Sequence, residues 1–338
     1  MKIEEYASLK PYNTLALDAN ARYLIIVTSL DLLCEAIHFA NAKKLPYLVL
    51  GEGSNILLRG NVDKVVILMR TEGVSIDSKG HDSEVFVTAQ AGETWHPFVQ
   101  CCLSKGLYGI ENLSLVPGTV GAAPVQNIGA YGVELADVLH SLQVYAPESR
   151  ETFELMREDC AFGYRDSLFK QRQNTWIITA VTLRLSIRPA PKTSYGGILE
   201  ELDAMKADEI TPSAVAEAIC RLRQRKLPDP AVLPNAGSFF KNPVITQAQF
   251  KRIQAEFPTI VHYVVNDQQI KLAAGWMIEQ CGWKGKRLND AGVHTHQALV
   301  LVNHGHATGT DILALAEEIQ GQVKSRFGIR LDIEPTVA

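Results

Sequence analysis

The sequence predicts an α+β protein that is divided into two or three domains. With 338 residues it exceeds one ordinary core, because typical domains hold about 100 to 200 residues. Strand and helix patterns alternate up to about residue 70, and strands dominate from about 65 to 187. A proline-rich break at 188–191 follows, after which helices and strands alternate to the end of the chain.

The first section is predicted to form a strand–helix–strand unit. An apolar strand covers Tyr23–Val27, and a helix with apolar residues at every third or fourth position starts at about Leu30. A second strand, Tyr47–Leu50, runs directly into Gly51-Glu52-Gly53-Ser54-Asn55. Glycine suits such a turn, because a side chain would keep backbone N–H groups from closing on a bound anion.

The middle section is predicted to be mostly β-structure. Strands are expected at Glu84–Ala91 and at the alternating apolar positions of 181–187, with one helix near 95–102 between them. A further helix starts with a cap at Thr211 and a proline in its first turn, and stops at Leu227-Pro228.

The final section is predicted to mix both element types. Helices are expected at Gln247–Glu256 and Ala273–Gln280, and a strand at Ala298–Val302. A long helix capped by Thr310 is expected to end at Gly328. The closing strand is predicted to place Ile329, Leu331 and Ile333 on one face and Arg330, Asp332 and Glu334 on the other.

Composition is typical of a globular enzyme. Hydrophobic residues make up 46% and charged residues 21% of the chain. The formal net charge of -4 provides no positive field for nucleic acid or an anionic membrane, so neither is expected as a partner. The N-terminus lacks the pattern of a secretory signal and no stretch stays apolar for about 20 residues, so we expect a cytoplasmic location. The six cysteines form no C-x-x-C pair and are expected to be reduced.

Three segments carry more glycine, proline and amide side chains than simple turns need. We call them the first glycine loop (51–55), the second glycine loop (117–124) and the amide loop (126–132). Each alone is better explained as a tight surface turn, but together their exposed N–H groups favour a pyrophosphate and a planar heterocycle, hence a nucleotide cofactor. The loops also carry neutral hydrogen-bonding side chains, namely Ser54, Asn55, Gln126 and Asn127.

Two further runs hold side chains that could take part in binding or catalysis. In Phe162–Ser167, Arg165 and Asp166 are adjacent; arginine suits bidentate capture of a carboxylate, and a surface ion pair is the equal alternative. In Asn235–Pro243, Ser238 lies between a glycine and two phenylalanines, where a serine either donates a proton or caps a turn. No G-x-S-x-G elbow surrounds this serine, which argues against a serine hydrolase.

Histidines and basic residues are less informative. The pairs His294-x-His296 and His304-x-His306 have no cysteine or carboxylate cluster beside them, so we interpret them as solvent-facing and expect no metal site. The basic run 221–226 is explained in part by the helix dipole, which favours cations at a helix C-terminus. Lys226 is the member that we single out for phosphate contact.

Taken together, these segments resemble the UDP-N-acetylenolpyruvoylglucosamine reductase family over nearly the whole chain. The resemblance implies the FAD-binding fold of the vanillyl-alcohol-oxidase-like type, with two flavin-binding α+β domains and a C-terminal α+β substrate domain. We expect these domains at 1–70, 71–215 and 216–338, with the final strand returning to the active site. Ser194-Tyr195-Gly196-Gly197 resembles the tyrosine loop of the family's longer subclass. Six motifs fall in the family's order: 51–55, 117–132, 162–167, 226–228, 237–243 and 331–334.

The resemblance also implies an activity. NADPH is expected to reduce FAD, and the reduced flavin to pass hydride to UDP-N-acetylglucosamine enolpyruvate, giving UDP-N-acetylmuramate for peptidoglycan synthesis. Enolate charge then develops beside the substrate carboxylate, so the protein must stabilise it and protonate the alpha carbon. Arg165 matches the family's carboxylate-binding arginine, Ser238 its proton donor, and Glu334 the glutamate that stabilises the enolate together with the arginine. We expect the enzyme to act as a monomer.

Binding residues follow from the same motif positions. Substrate contacts are implied for Tyr164, Tyr195, Lys226, Asn242 and Gln297. Cofactor contacts are implied for Gly51, Glu52, Gly53, Ser54, Asn55, Pro117, Gly118, Gly121, Ala122, Gln126, Asn127, Gly129, Ala130 and Tyr131.

Three alternatives stay open on the sequence. Because only Pro335-Thr336-Val337-Ala338 follow Glu334, where the family usually continues with valine, Asp332 is the alternative catalytic carboxylate. A second flavin activity of this fold, a sugar or alcohol oxidase, is disfavoured because no histidine for flavin attachment lies in 51–55 or 117–132. A regulatory nucleotide-binding protein without turnover is disfavoured by the presence of all three catalytic residue types.

Overall fold

A computed structural model describes residues 1–77, 83–173 and 175–338. Their Cα positions group into two compact units. The first unit comprises Met1–Ala7, Ala21–Glu52 and Asp63–Arg225, and the second comprises Ser8–Asn20, Gly53–Val62 and Lys226–Ala338. The expected division into three domains stays a prediction.

The elements of the described residues are numbered in chain order. The helices are α1 (Leu30–Ala42), α2 (Trp95–Ser104), α3 (Leu168–Gln171), α4 (Ile198–Ala204), α5 (Pro212–Lys226), α6 (Gln247–Glu256), α7 (Ala274–Gln280) and α8 (Gly309–Phe327). Short 3-10 helices cover Lys10–Tyr12, Glu111–Leu113, Val120–Ala122, Pro124–Gln126, Leu135–Asp137 and Arg157–Cys160. The strands are β1 (Ile3–Ser8), β2 (Asn20–Val27), β3 (Tyr47–Leu50), β4 (Ile56–Leu57), β5 (Val62–Met69), β6 (Val74–Asp77), β7 (Glu84–Gln90), β8 (Gly129–Ala130), β9 (Val133–Glu134), β10 (Leu139–Ala146), β11 (Glu151–Met156), β12 (Ile177–Ser186), β13 (Asn235–Ser238), β14 (Val244–Thr246), β15 (His262–Asn266), β16 (Gln269–Leu272), β17 (Arg287–Leu288), β18 (Ala291–Val293), β19 (Val300–Asn303) and β20 (Thr336–Val337).

The first sheet carries the predicted strand–helix–strand unit. Its order is β1-β2-β5-β3, and β3 runs parallel to β5. Helix α1 is capped by Ser29, whose Oγ accepts from the backbone N–H of Leu32 at 3.2 Å. The helix buries Leu33 and Ile37 in one apolar cluster with residues of β2 and β5. The first glycine loop therefore follows directly after β3, an edge strand of this sheet.

The second sheet is antiparallel and supports the second glycine loop. Its order is β11-β10-β12-β7-β6, and α2 buries Trp95 and Phe98 in a cluster with apolar residues of β7, β10 and β12. The indole Nε1 of Trp95 donates to the carbonyl oxygen of Leu113 at 3.0 Å. Because Leu113 precedes the second glycine loop, the core side chain fixes the approach to that loop. Helices α4 and α5 pack on each other through Ile198, Leu202, Val215, Ile219 and Leu222.

The second unit contains the antiparallel sheet β13-β19-β18-β17, the small sheet β14-β16-β15, and the parallel pair β20-β4. Helix α8 ends as predicted at Gly328, whose φ is +68°. The predicted cap is wrong: the hydroxyl of Thr308 accepts from the backbone N–H of Asp311 at 3.2 Å. Thr310 lies in the first turn, and its hydroxyl donates to the carbonyl oxygen of Arg59 at 3.3 Å.

The predicted closing strand is also corrected. Residues 329–334 form only an isolated bridge, Ile333 with Phe240, and the regular strand near the C-terminus is β20. Burial alternates as expected for Ile329 and Leu331 against Arg330 and Asp332, because this segment still covers apolar residues on one side. Glu334 departs from the exposed face and is half-buried.

Candidate active site

The side chain of Glu52 connects the two glycine loops. Its Oε2 accepts a hydrogen bond from the backbone N–H of Gly118 at 2.9 Å, and its Oε1 accepts one from the Thr94 hydroxyl at 3.1 Å. Arg70 donates from Nη1 to the carbonyl oxygen of Gly51 at 3.0 Å. The Glu52 carboxylate is therefore engaged with backbone and hydroxyl donors that hold the loops in place.

Only glycine fits at positions 51 and 53 of the first glycine loop. A Cβ on Gly51 would lie 2.3 Å from the hydroxyl oxygen of Thr119. Gly53 has a φ of +64°, and a Cβ there would lie 2.1 Å from the carbonyl oxygen of Tyr12. Within the described chain, the backbone N–H groups of residues 52–54 donate no hydrogen bond. Successive N–H groups at a left-handed glycine form a concave site for an anion.

The second glycine loop packs closely on the start of α2. The backbone N–H of Val120 donates to the carbonyl oxygen of Glu93 at 2.8 Å, and that of Gly121 donates to Ala91 at 2.9 Å. A Cβ on Gly121 would lie only 2.4 Å from the Cβ of Ala91, so this contact requires glycine. Exposed residues of the loop include Pro117 and Ala122.

The amide loop is held by the buried side chain of Asn127. Its Nδ2 donates to Glu134 Oε2 at 2.8 Å and to the carbonyl oxygen of Gly163 at 3.1 Å. Its Oδ1 accepts from the backbone N–H of Ala136 at 3.0 Å. These three bonds occupy the amide within the protein, so a contact between Asn127 and a cofactor would involve its backbone. Half-buried neighbours in this loop are Gln126, Gly129, Ala130 and Tyr131.

Arg165 is fixed at both its backbone and its guanidinium. Gly163 and Asp166 exchange two backbone hydrogen bonds of 3.0 and 3.2 Å, which leaves Arg165 in this turn with a φ of +54°. That conformation costs a non-glycine residue about 1 kcal/mol or more, so surrounding contacts must hold it. Its Nη2 donates to the carbonyl oxygen of Gly129, and its Cζ lies 5.4 Å from the ring centroid of Tyr164. The guanidinium position is thereby set before a substrate binds.

Tyr195 and Tyr131 bring the tyrosine loop to the amide loop. Their ring centroids are 5.2 Å apart, with an interplanar angle of 69°, which is an edge-to-face arrangement. Tyr195 is 46% exposed. Burial raises the pKa of Tyr131, with a smaller opposing effect from the positive charge of Arg223. Tyr131 therefore stays a neutral phenol at physiological pH.

In the second unit, the segment after Ser238 pairs with the segment before Glu334. The backbone N–H of Glu334 donates to the carbonyl oxygen of Phe239 at 2.9 Å, and that of Lys241 donates to Asp332 at 2.9 Å. Ser238 ends strand β13 and is half-buried, as is Glu334. The fold thus places a hydroxyl and a carboxylate on neighbouring backbone segments, and it leaves Asp332 exposed.

Asn242 and Gln297 lie at the start of α7. The Oδ1 of Asn242 accepts from the backbone N–H of Ala274 at 2.9 Å, which satisfies one of the free donors of that helix end. A Cβ on Gly275 would lie 3.4 Å from Gln297 Oε1, so this side chain touches the first turn. Lys226 is exposed and ends α5.

No metal site or membrane-spanning helix is found in the described residues. The rings of His294 and His296 lie 5.6 Å apart, but no group of three or more potential ligands of a metal ion occurs in 1–77, 83–173 and 175–338. No helix of the described chain has the length and apolar character needed to cross a bilayer. The cysteines of this part of the chain are all free thiols.

Curated relatives match this chain over nearly its full length. The UDP-N-acetylenolpyruvoylglucosamine reductase of Pseudomonas aeruginosa is 50% identical over 337 residues, which cover 100% of this chain and 99% of that protein. The protein of the same name from Paraburkholderia phymatum is 47% identical over 330 residues, with coverages of 97% and 95%. The chain belongs to the UDP-N-acetylenolpyruvoylglucosamine reductase family.

Domain models and a solved structure agree with membership of this reductase family. The family model described as the UDP-N-acetylenolpyruvoylglucosamine reductase C-terminal domain matches residues 229–338, and the FAD binding domain matches 21–151. The crystal structure of UDP-N-acetylenolpyruvylglucosamine reductase from Thermus caldophilus has a TM-score of 0.69 and 28% identity, covering 100% of this chain and 99% of that one. The expected fold, reductase class and cofactors, FAD and NADPH, are confirmed.

The glycine loops of this reductase fit a dinucleotide. The unengaged N–H groups of residues 52–54 suit the two negative charges of a diphosphate. Both carboxylate oxygens of Glu52 accept hydrogen bonds, from Gly118 and Thr94, which hold this side chain against the second glycine loop. At Gly51, Gly53 and Gly121 a Cβ would clash with a neighbouring residue, so glycine allows the backbone of both loops to pack closely there.

The basic residues near the end of α5 have different partners in the structure. Arg223 has a role that the sequence pattern did not indicate. Arg221 pairs with Glu217 on the surface at 2.8 Å. Arg223 donates from Nε to the carbonyl oxygen of Leu115 at 3.2 Å, and burial lowers the pKa of its guanidinium. Arginine stays charged at neutral pH even so. Leu115, two residues before the second glycine loop, is thus held by a cation whose position the helix dipole alone does not explain.

His96 is a second residue that the sequence did not single out. Its Nδ1 accepts a hydrogen bond from the backbone N–H of Leu115 at 3.0 Å. Burial, and then the positive charge of Arg223, lower the pKa of His96, so the imidazole is neutral and can accept at neutral pH. A lone histidine inside a helix pattern gives no sequence signal for this role.

Proposed function

We propose that this chain reduces UDP-N-acetylglucosamine enolpyruvate to UDP-N-acetylmuramate, with NADPH as the reductant, in peptidoglycan precursor synthesis. Its family is named for a reductase of this kind of sugar nucleotide. The observation that carries the proposal is the pairing of residues 239–241 with 332–334. That pairing supplies Ser238 and Glu334, a proton donor and an acid, to one part of the second unit.

The cofactor is proposed to be held by the glycine loops and the amide loop. When bound, FAD would accept a hydride from NADPH and, once reduced, would supply it to one carbon of the substrate's double bond, while a protein group supplies the proton to the other. The N–H groups of residues 52–54 suit its diphosphate, since they have no competing acceptor in the described chain. Pro117, Gly118, Gly121 and Ala122, with residues 126–131, are proposed to hold the rest of the dinucleotide.

Arg165 is proposed to bind the carboxylate of the enolpyruvyl group. A planar guanidinium can donate two parallel hydrogen bonds to a carboxylate, and its charge stabilises the enolate that develops beside it. The turn at Gly163 and Asp166 and the bond to Gly129 preorganise this group, so little reorganisation is needed during the reaction. Tyr164 packs against the guanidinium and keeps it oriented.

Ser238 is proposed to donate the proton that the alpha carbon receives. A serine hydroxyl is a weak acid, but an enolate is a strong base, so position matters more than acidity. The Ser238 hydroxyl makes no hydrogen bond within the part of the chain that the structure describes, so its proton is not committed elsewhere.

Glu334 is proposed to stabilise the enolate together with Arg165. An ionised carboxylate would repel the enolate, so we propose that Glu334 acts in its protonated form, in which its O–H donates. Glu334 is half-buried, whereas Asp332 is exposed.

The remaining side chains are proposed to bind the UDP-sugar. Asn242 and Gln297 lie beside the first turn of α7, and their amide N–H groups can donate to oxygen atoms of a phosphate or a sugar. Lys226 adds a mobile positive charge, and the exposed ring of Tyr195 offers a hydroxyl and an aromatic face. We further propose a cytoplasmic monomer, because NADPH and sugar nucleotides are cytoplasmic and all the proposed residues come from one chain.

One experiment separates this activity from that of an oxidase. The purified yellow protein is reduced anaerobically with NADPH in a stopped-flow instrument and then mixed with either the enolpyruvyl sugar or dioxygen. Rapid reoxidation of the flavin by the sugar and slow reoxidation by dioxygen support the proposal. The reverse order of rates would assign the chain to the sugar or alcohol oxidases, and a colourless protein would favour a regulatory role.

A further inference from the structure

One buried side chain connects the amide loop to the segment that carries Tyr195. Asn112 lies in the 3-10 helix Glu111–Leu113 and is 1% exposed. Its Nδ2 donates to the carbonyl oxygen of Tyr131 at 2.8 Å and to that of Lys192 at 2.9 Å. Both hydrogens of the amide are therefore used to join two segments that are far apart in the sequence.

The Tyr195 segment is irregular and largely exposed. Residues 187–197 contain no helix or strand, and Tyr195 itself is 46% exposed, so burial does not hold its ring. The ion pair between Lys192 and Asp137, 3.7 Å apart, is exposed, and exposed pairs contribute little. The edge-to-face contact between Tyr131 and Tyr195 needs both segments already in place. The Asn112 amide is thus a buried polar connection in a region that is otherwise largely exposed.

Packing alone does not favour asparagine at position 112. The Oδ1 atom is buried without a hydrogen-bond partner in the described chain. A buried acceptor without a partner is unfavourable, and an apolar side chain of similar shape would remove that disadvantage. The amide is explained instead by its two donors, which a leucine or an aspartate cannot replace.

We propose that Asn112 is a positioning residue, which sets the orientation of Tyr195 against the amide loop and thereby the binding of the UDP-sugar. The sugar-binding part of this inference rests on the proposed function of Tyr195. The amide loop that Asn112 contacts at Tyr131 is also held by the three bonds of Asn127, so loss of Asn112 leaves that part of the FAD site in place and releases mainly the Tyr195 segment. Freed from the amide, the 187–197 segment opens more often.

The test uses Asn112→Asp, which keeps the shape but removes both donors, and Asn112→Ala. The matched control is Asn303→Ala in the second unit: Asn303 is also 1% exposed, and its Nδ2 also donates to two carbonyl oxygens, those of Leu15 and Ala307. Trypsin cleavage of the folded protein at Lys192–Thr193 reports opening directly. We expect both Asn112 variants to be cleaved about tenfold faster than wild type, the size expected from losing two hydrogen bonds. Cleavage in the Asn303 variant is expected to be unchanged.

Steady-state kinetics complete the test. The KM for the enolpyruvyl sugar is expected to rise about tenfold in the Asn112 variants, while the rate of flavin reduction by NADPH stays within about twofold. Unchanged cleavage at Lys192 in Asn112→Asp overturns the connection, and faster cleavage with an unchanged KM overturns the positioning role. If the wild-type protein reduced no sugar, the proposed function would fail, and the cleavage rates would still support or overturn the connection.

Discussion

The backbone N–H of Glu334 donates a 2.9 Å hydrogen bond to the carbonyl oxygen of Phe239, the residue after Ser238. This bond places the two proposed acids of the reaction on neighbouring segments of the second unit. It also distinguishes the two carboxylates near the C-terminus, because Glu334 is half-buried and Asp332 is exposed.

The choice between the two carboxylates can be tested with matched amide variants. We expect Glu334→Gln to slow reduction of the enolpyruvyl sugar by about a hundredfold or more, because one transition-state contact is lost. Asp332→Asn, on the same segment, is expected to stay within about twofold of wild type. Stopped-flow reoxidation of the reduced flavin by the sugar measures both. A slow Asp332 variant with a normal Glu334 variant would reverse the assignment.

The proton-donor role of Ser238 predicts a split between the two half-reactions. In Ser238→Ala, reduction of the flavin by NADPH is expected to be near normal, whereas reduction of the sugar slows by about a hundredfold or more. Ser75→Ala, an exposed serine on β6, serves as the control and is expected to change neither step. Equal losses in both half-reactions would rule out a specific role in protonation.

Arg165 is predicted to be sensitive even to lysine. Lysine keeps the charge but lacks the planar fork that can bind Gly129 and a substrate carboxylate together. We expect Arg165→Lys to raise the KM for the sugar and to lower kcat, each by about tenfold or more. Arg184→Lys, an exposed arginine on β12, is expected to behave as wild type in the same assay. Normal kinetics of Arg165→Lys would show that charge alone is sufficient.

The first glycine loop predicts a specific loss of cofactor. In Gly53→Ala the new Cβ would lie 2.1 Å from the Tyr12 carbonyl oxygen at a φ of +64°, so the loop must rearrange. We expect the purified variant to contain little FAD, as measured by its visible absorbance. Gly60→Ala is the control, because a Cβ there meets no atom within 4 Å. Full flavin content in Gly53→Ala would remove the loop from the proposed FAD site.

Two buried thiols predict a loss of stability at alkaline pH. Burial raises the pKa of Cys102 and of Cys160 from 9.0 to about 12 in each case. The unfolded chain deprotonates first, so their contribution to stability is complete below pH 9.0 and is lost as pH rises towards 12. At pH 8 iodoacetamide is expected to label half-buried Cys101 in the folded protein and to spare Cys102 and Cys160. Rapid labelling of Cys102 would contradict this burial.

Much of the fold could be predicted from local patterns. Helix α1 begins at Leu30 and α6 covers Gln247–Glu256, as the apolar periodicity predicts. The structure adds their caps, because Ser29 and Thr246 accept from backbone N–H groups of the first turns. The predicted cap of α8 was wrong by two residues, because Thr308 and Thr310 have the same hydroxyl side chain. Only the hydrogen bond from the backbone N–H of Asp311 identifies Thr308 as the cap. The prediction of a regular strand at 329–334 was wrong. Its pairing partner, near Phe240, is far away in the sequence, so the local pattern does not show how much of the segment is paired.

The motifs of the site could be predicted from the sequence, but the hydrogen bonds that join its segments could not. Glycine at 51 and 53 and arginine at 165 are visible in the sequence, since their residue types indicate a turn or a charge. The bonds of Asn112, His96 and Arg223 were not, because each depends on a carbonyl or N–H group that the fold brings from a distant segment. A buried asparagine or histidine has no local pattern that separates a connection from ordinary packing.

The most direct test of the central claim is the stoichiometry of NADPH oxidation with the enolpyruvyl sugar as the only acceptor. Under anaerobic conditions we expect one UDP-N-acetylmuramate to form for each NADPH oxidised, and no NADPH oxidation beyond the flavin content when the sugar is absent. Mass spectrometry identifies the product by its two added hydrogen atoms. NADPH consumption that requires dioxygen and leaves the sugar unchanged would show that the protein is an oxidase and not this reductase.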